Sequence, residues 1–162
     1  MPAERHHVRV AKDFFTFSCA HFITFNRTVG ERLHGHNYRV AVEVEGPLDE
    51  NHYVFDFIAL QNLTRAIAGE LDHHMLLATK NPLLPVEANE ERVRVTFGAK
   101  EWIFPREDCI LLEIENTTAE LLAKLIGKRL LDELGARGYS PEAVRVEVEE
   151  NVGQSAICEL RP

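Results

Sequence analysis

The chain has 162 residues, 45% of them hydrophobic, which suits one domain with a buried core. Acidic residues outnumber basic ones 26 to 18 and the formal net charge is −8, which argues against a nucleic-acid footprint, so nucleic acid is not an expected partner. The opening stretch MPAERHHVRV lacks the apolar segment of a secretion signal and no long apolar run follows, so no membrane partner and a cytoplasmic location are expected. The three cysteines, Cys19, Cys109 and Cys158, have no CxxC spacing and read as reduced thiols.

In chain order, the first strand signal is VRVAKDFFTF, residues 8–17, expected to carry on towards His21. HNYRVAVEVEG follows, with Tyr38, Val40, Val42 and Val44 on one face against Arg39, Glu43 and Glu45 on the other. From Asp56, a plausible cap, the period becomes helical through Leu60, Leu63, Ile67 and Leu71, and this helix is expected to end at Asp72 and His73. Then comes an irregular acidic stretch, NPLLPVEANEE, and two short alternating runs about Gly98 that predict a β-hairpin over 92–104. A second helix should start after Thr117 or Thr118, with Leu121, Leu122, Leu125, Ile126, Leu130 and Leu134 as its apolar stripe. AVRVEVEE and SAICELR close the chain as strands.

Strands gathered around helices without β-α-β alternation predict an α+β fold. The expected architecture is a four-stranded antiparallel sheet with two helices on one face, an inserted segment over about 80–108 carrying the hairpin, and one domain over 1–162. Its sheet edges would need partners.

The chemistry-bearing residues fall at the ends of these elements, where sites often lie. His34 and His36 share a strand face, and pairing of the first two strands would bring His21 to them, giving three imidazoles with an open fourth position. Random placement of eight histidines yields roughly 0.4 H-x-H pairs in such a chain, so spacing alone leaves two readings open: a metal site, or hydrogen-bonded, unligated histidines.

The order of short motifs carries a resemblance over nearly the whole chain. FSCAH, HGHNY, YVFDF, LDHHML, NTTAE and VEEN resemble, in that order, motifs of the 6-pyruvoyl-tetrahydropterin and 6-carboxy-tetrahydropterin synthase family, with Thr117 and Asn151 in place of a proline and a threonine. The resemblance implies a tunnelling fold (T-fold), a self-associating homo-oligomer, commonly a hexamer, and pterin sites between subunits. It implies that His21, His34 and His36 bind Zn2+, that Asp72 and His73 form an acid–base pair reaching a neighbour's site, and that Glu150 anchors the pterin with Thr118 completing its recognition. A carboxylate suits that anchor because it accepts two hydrogen bonds from an amino-pyrimidine edge.

One departure sets the expected reaction. Cysteine-dependent members carry a thiol with three or four residues between it and HGH, where this chain has Gly30 and Val29. Glu31 instead resembles the E-x-x-H-G-H branch linked to folate synthesis. That branch implies a zinc-dependent lyase acting on 7,8-dihydroneopterin triphosphate and giving 6-hydroxymethyl-7,8-dihydropterin, with Glu31 as base. The alternatives are 6-pyruvoyl- or 6-carboxy-tetrahydropterin synthase activity, and a non-catalytic zinc- and pterin-binding homologue. Arg27, Arg32 and Lys80 are candidates for the triphosphate, and Cys19 shares the face of His21 without reading as a nucleophile.

Overall fold

A computed structural model describes residues 4–162. Nine strands and two α-helices occur among them: β1 (His6–His21), β2 (His34–Gly46), α1 (Phe57–Gly69), β3 (His74–Ala78), β4 (Val86–Ala88), β5 (Arg92–Phe97), β6 (Lys100–Pro105), β7 (Cys109–Leu112), α2 (Ala119–Ala136), β8 (Ala143–Asn151) and β9 (Gln154–Leu160). One sheet has the order β7-β3-β1-β2-β8-β9, and a second has the order β4-β5-β6.

The α+β class, the four long strands and both helices are as expected. The strand count is not, because β3 and β7 extend the sheet to six strands and do so in parallel, β3 beside β1 and β7 beside β3. MLLA and CILL are short continuous apolar runs, buried or half-buried at every position, and such strands show no alternation by which to read them. The insertion gains a third strand too, β4, which pairs Val86 with Val95 beside the expected hairpin.

Both helices lie on one face of the large sheet, over Phe17, Tyr38, Val40, Val42, Val44, Val144, Val146 and Val148. Asp56 caps α1, its carboxylate accepting from the Ala59 N–H at 2.7 Å. Thr118, not Thr117, caps α2. The first helix stops at Gly69, so Asp72 and His73 lie in a turn beyond it, and His73 takes φ 58°, a left-handed conformation held by its N–H donating to the Ser18 carbonyl at 2.6 Å.

An irregularity in β1 decides which side chains meet. Residues 8 and 10 pair with Val44 and Val42 and point to the core, but the register shifts between Ala11 and Thr16, after which the odd-numbered residues point there. Phe17, Cys19 and His21 therefore stand opposite Tyr38, His36 and His34 on one face. A uniform alternation from Val8 would have turned His21 to the other face.

A second apolar cluster fills the opposite side of the sheet. Phe22, Met75, Leu77 and Cys109 pack there against Leu84, Val93, Val95 and Phe97 of the insertion.

Candidate metal and substrate site

His21 ends β1 and His34 begins β2 directly opposite, with His36 two residues further on the same face. Gly35 between them allows the close approach of the strands, since a Cβ there would meet the Cys19 carbonyl oxygen at 3.0 Å. The ring centroids of His21 lie 4.8 Å from His34 and 5.3 Å from His36. One nitrogen from each of the three rings falls within 4.8 Å of the others, and Nε2 of His34 and of His36 are 2.9 Å apart.

Backbone carbonyls set the tautomers. His21 Nδ1 donates to the Thr117 carbonyl at 2.9 Å and His34 Nδ1 donates to the Arg32 carbonyl at 2.7 Å, which leaves the Nε2 lone pair of each free for a metal. His21 is buried, and burial holds its pKa below the usual imidazole value, so it stays neutral as a ligand must. Two nitrogens on one tetrahedral metal stand about 3.3 Å apart, a spacing that the 2.9 Å between His34 and His36 approaches and that lies inside the 4.8 Å spread of the three. The donor set thus fits a divalent metal held by three imidazoles.

Two carboxylates flank the cluster. Glu31 Oε2 lies 3.8 Å from His34 Nε2, and Glu150 Oε1 lies 3.6 Å from His36 Nε2. Glu31 is clasped by Ile23: its N–H donates to the Ile23 carbonyl at 2.9 Å and its Oε2 accepts from the Ile23 N–H at 3.1 Å. Beside Glu150 a cavity of about 340 Å³ is lined by Ile23, Thr118, Glu120, Gln154 and Ser155, so Glu150 and Thr118 do share one pocket at the edge of the histidine cluster.

Asp72 and His73 form a pair outside the three-imidazole group. Asp72 Oδ1 accepts from the Ser18 N–H at 2.7 Å and its Oδ2 lies 2.8 Å from His73 Nδ1. The Ser18 N–H and, next, His73 hold the Asp72 carboxyl below its usual range, while the His73 side chain is 81% exposed. His73 borders a cavity of about 600 Å³ with Ser18, His36, Asn37, Met75 and Phe104. Among the expected triphosphate cations, Lys80 pairs with Glu113 at 3.4 Å, and Arg27 and Arg32 are exposed in the loop before His34.

Tyr38 is the site residue that strand alternation alone would class as core. Its hydroxyl sits 3.2 Å from His21 Nε2 and 3.3 Å from Glu150 Oε2. The signal was available: Tyr38 continues the His34–His36 face by one further period of two.

Similarity to known proteins agrees with this arrangement. The family model "6-pyruvoyl tetrahydropterin synthase" matches residues 9–161. A Methanocaldococcus jannaschii protein provisionally named 6-carboxy-5,6,7,8-tetrahydropterin synthase is 33% identical over 142 residues, 86% of each chain. A Pyrococcus furiosus dihydroneopterin monophosphate aldolase is 36% identical over 61 residues, 38% of this chain and 51% of its own. The crystal structure of the Plasmodium vivax 6-pyruvoyl tetrahydropterin synthase superposes with a TM-score of 0.91 at 29% identity, covering 99% of this chain and 100% of that one. Two further structures of that enzyme, in which a glutamate described as a catalytic residue is replaced by alanine or cysteine, match with TM-scores of 0.90 and 0.91 at 28% identity. The match over residues 9–161 and the shared α+β tunnelling fold make this chain a member of the 6-pyruvoyl tetrahydropterin synthase family.

Proposed function

We propose that the chain is a zinc-dependent lyase that converts 7,8-dihydroneopterin triphosphate to 6-hydroxymethyl-7,8-dihydropterin, with Glu31 as its base. The observation that carries this reading is a carboxylate at the rim of a three-imidazole cluster, clasped by backbone, in a loop that holds no thiol. A glutamate described as catalytic in the P. vivax enzyme and the aldolase name of the P. furiosus relative support it.

His21, His34 and His36 would hold the zinc, whose borderline softness suits neutral imidazole. When bound, it supplies Lewis-acid stabilisation of negative charge developing on a side-chain oxygen of the substrate. Glu150 and Thr118 bind the pterin edge. Glu31 takes the proton of the 2′-hydroxyl. The C1′–C2′ bond then breaks, C2′ leaves as an aldehyde carrying the triphosphate, and the bonding pair passes into the dihydropterin ring. A proton delivered to C1′ completes the product, and His73 with Asp72, from a neighbouring copy in a homo-oligomer of hexameric size, supplies it.

The test is incubation of purified protein with 7,8-dihydroneopterin triphosphate and mass analysis of the pterin formed. Glu31→Gln should slow turnover by about 100- to 10,000-fold while metal content and pterin affinity hold. A pyruvoyl or carboxy product as the main species, or wild-type turnover by Glu31→Gln, would refute the reading. His34→Ala and His36→Ala should each lose the metal; unchanged metal content in both would remove the assigned ligands.

A further inference from the structure

The insertion packs against the loop that carries Glu31. Residues 22–33 form a miniature hairpin between β1 and β2, closed at its base by the Thr24–Gly30 bridge and the Ile23–Glu31 clasp, and at its tip by Phe25 and Asn26 donating to the Val29 carbonyl. Within the hairpin everything is local. What sets its position on the body is a small number of outside contacts. Phe22 stacks on Trp102 of β6 with ring centroids 4.5 Å apart, Asn81 donates to Thr24 Oγ1 at 2.9 Å, and Asn116 donates to the Thr24 carbonyl at 3.0 Å. At Gly30, next to Glu31, the ring of Phe97 from β5 comes so close that a Cβ would lie 3.0 Å from its Cε1, with the Ile23 carbonyl oxygen 3.3 Å away on another side.

We propose that the inserted sheet is a positioning element for Glu31, with Phe97 seated on Gly30 and Trp102 on Phe22 fixing where the carboxylate stands relative to the three histidines. This rests on the reading of Glu31 as base. Phe97 itself touches no reacting atom. It is 7% exposed, within the cluster of Val93 and Val95, so the ring has rigid backing and cannot swing aside freely. A Cβ at position 30 is consequently tight against both, and a neighbour must give by a few tenths of an ångström to admit it. A side chain there, a thiol included, must displace either the Phe97 ring or the hairpin with Glu31 on it. The insertion and a carboxylate at position 31 therefore belong together as one arrangement.

The experiment uses full-length protein with 7,8-dihydroneopterin triphosphate as the probe, and reads kcat, KM and metal content. Gly30→Ala adds one methyl group at a position without left-handed backbone, so the fold should survive, and kcat should fall about 10-fold or more with KM and metal content near wild type. Phe97→Leu added to Gly30→Ala removes the ring that the methyl group meets and should restore most of the lost kcat. In the Glu31→Gln background Gly30→Ala should cause no further loss, because the group being misplaced is already inert. Wild-type kcat in Gly30→Ala, no recovery on adding Phe97→Leu, or an equal loss with and without Glu31, would each overturn the positioning role. If Glu31→Gln itself turns over at the wild-type rate, the base assignment fails and the positioning role with it. A slow Glu31→Gln beside an unaffected Gly30→Ala overturns the positioning role alone.

Discussion

At the scale of single residues, Tyr38 links the three-histidine cluster to Glu150 and the pocket beside it. Burial raises its phenol far above the usual range, so the hydroxyl stays protonated and must donate to something. Its two acceptors are His21 Nε2 and Glu150 Oε2, and a metal on His21 would leave only Glu150. Tyr38→Phe removes one hydrogen bond to a carboxylate, worth about 1.5 kcal/mol, so pterin affinity measured by fluorescence titration should weaken roughly tenfold with metal content retained. Undiminished affinity would show that Glu150 needs no such support. Cys19 lies beside the same cluster yet is chemically quiet: burial first, then Asp72 and Glu150, push its thiol up to about 12. Cys19→Ala should keep wild-type turnover, and a large loss would reopen the question of a thiol mechanism.

Elements depend on their ends here. The Asp56 cap begins α1, and its replacement by alanine should cost about 1 kcal/mol in urea unfolding, with Asn recovering most of it because an amide oxygen can accept the same N–H. An unchanged midpoint in Asp56→Ala would mean that packing of Leu60 and Leu63 alone sets the start of the helix. At the other end, the α1–β3 turn is tied to β1 through Asp72 accepting from Ser18. The folded pKa of Asp72 is depressed, so its contribution is present above the unfolded carboxylate value and is lost as pH falls through the lower, folded one. The side chain is 39% exposed, which keeps the effect small. Between neutral pH and about pH 3, wild type should lose more stability than Asp72→Asn; equal losses would show that this carboxylate does not contribute to acid sensitivity.

For the whole molecule, the position of the Asp72–His73 pair outside the three-imidazole group, on a cavity it shares with His36 through His73, makes a prediction about assembly. If one subunit supplies Glu31 and its neighbour supplies His73, two variants that are each inactive, Glu31→Gln and His73→Ala, should regain activity when their subunits are unfolded together and reassembled. Random pairing leaves about one quarter of the shared sites with both groups intact, so recovery should approach that fraction of wild-type activity. Absence of recovery, with mixed oligomers shown to form by native mass spectrometry, would place all catalytic groups in one subunit. The long edge strand β9, with Ile157 66% exposed, is the kind of surface that a neighbouring copy would cover.

Much of this was legible in the chain itself. Tyr38, Val40, Val42 and Val44 alternate because one face of β2 meets the helices and the other does not, and the leucine stripe of α2 repeats because a helix turns every 3.6 residues. Local chemistry also marked Asp56 as a cap and left Thr117 or Thr118 for the second helix, and the motif order carried the resemblance that implied one site from His21, His34, His36, Glu31, Asp72, His73, Thr118 and Glu150. Strands β3 and β7 were not legible, because burial or half-burial at every position erases the alternation by which a strand is read. Nor was the parity change in β1, which brings His21 round to face His34, since it is set by pairing with β2 and not by β1 alone. The seating of Phe97 on Gly30 joins residues 67 positions apart. A sequence carries the period of each element, but only the packed chain decides which ring fills the space above a missing side chain.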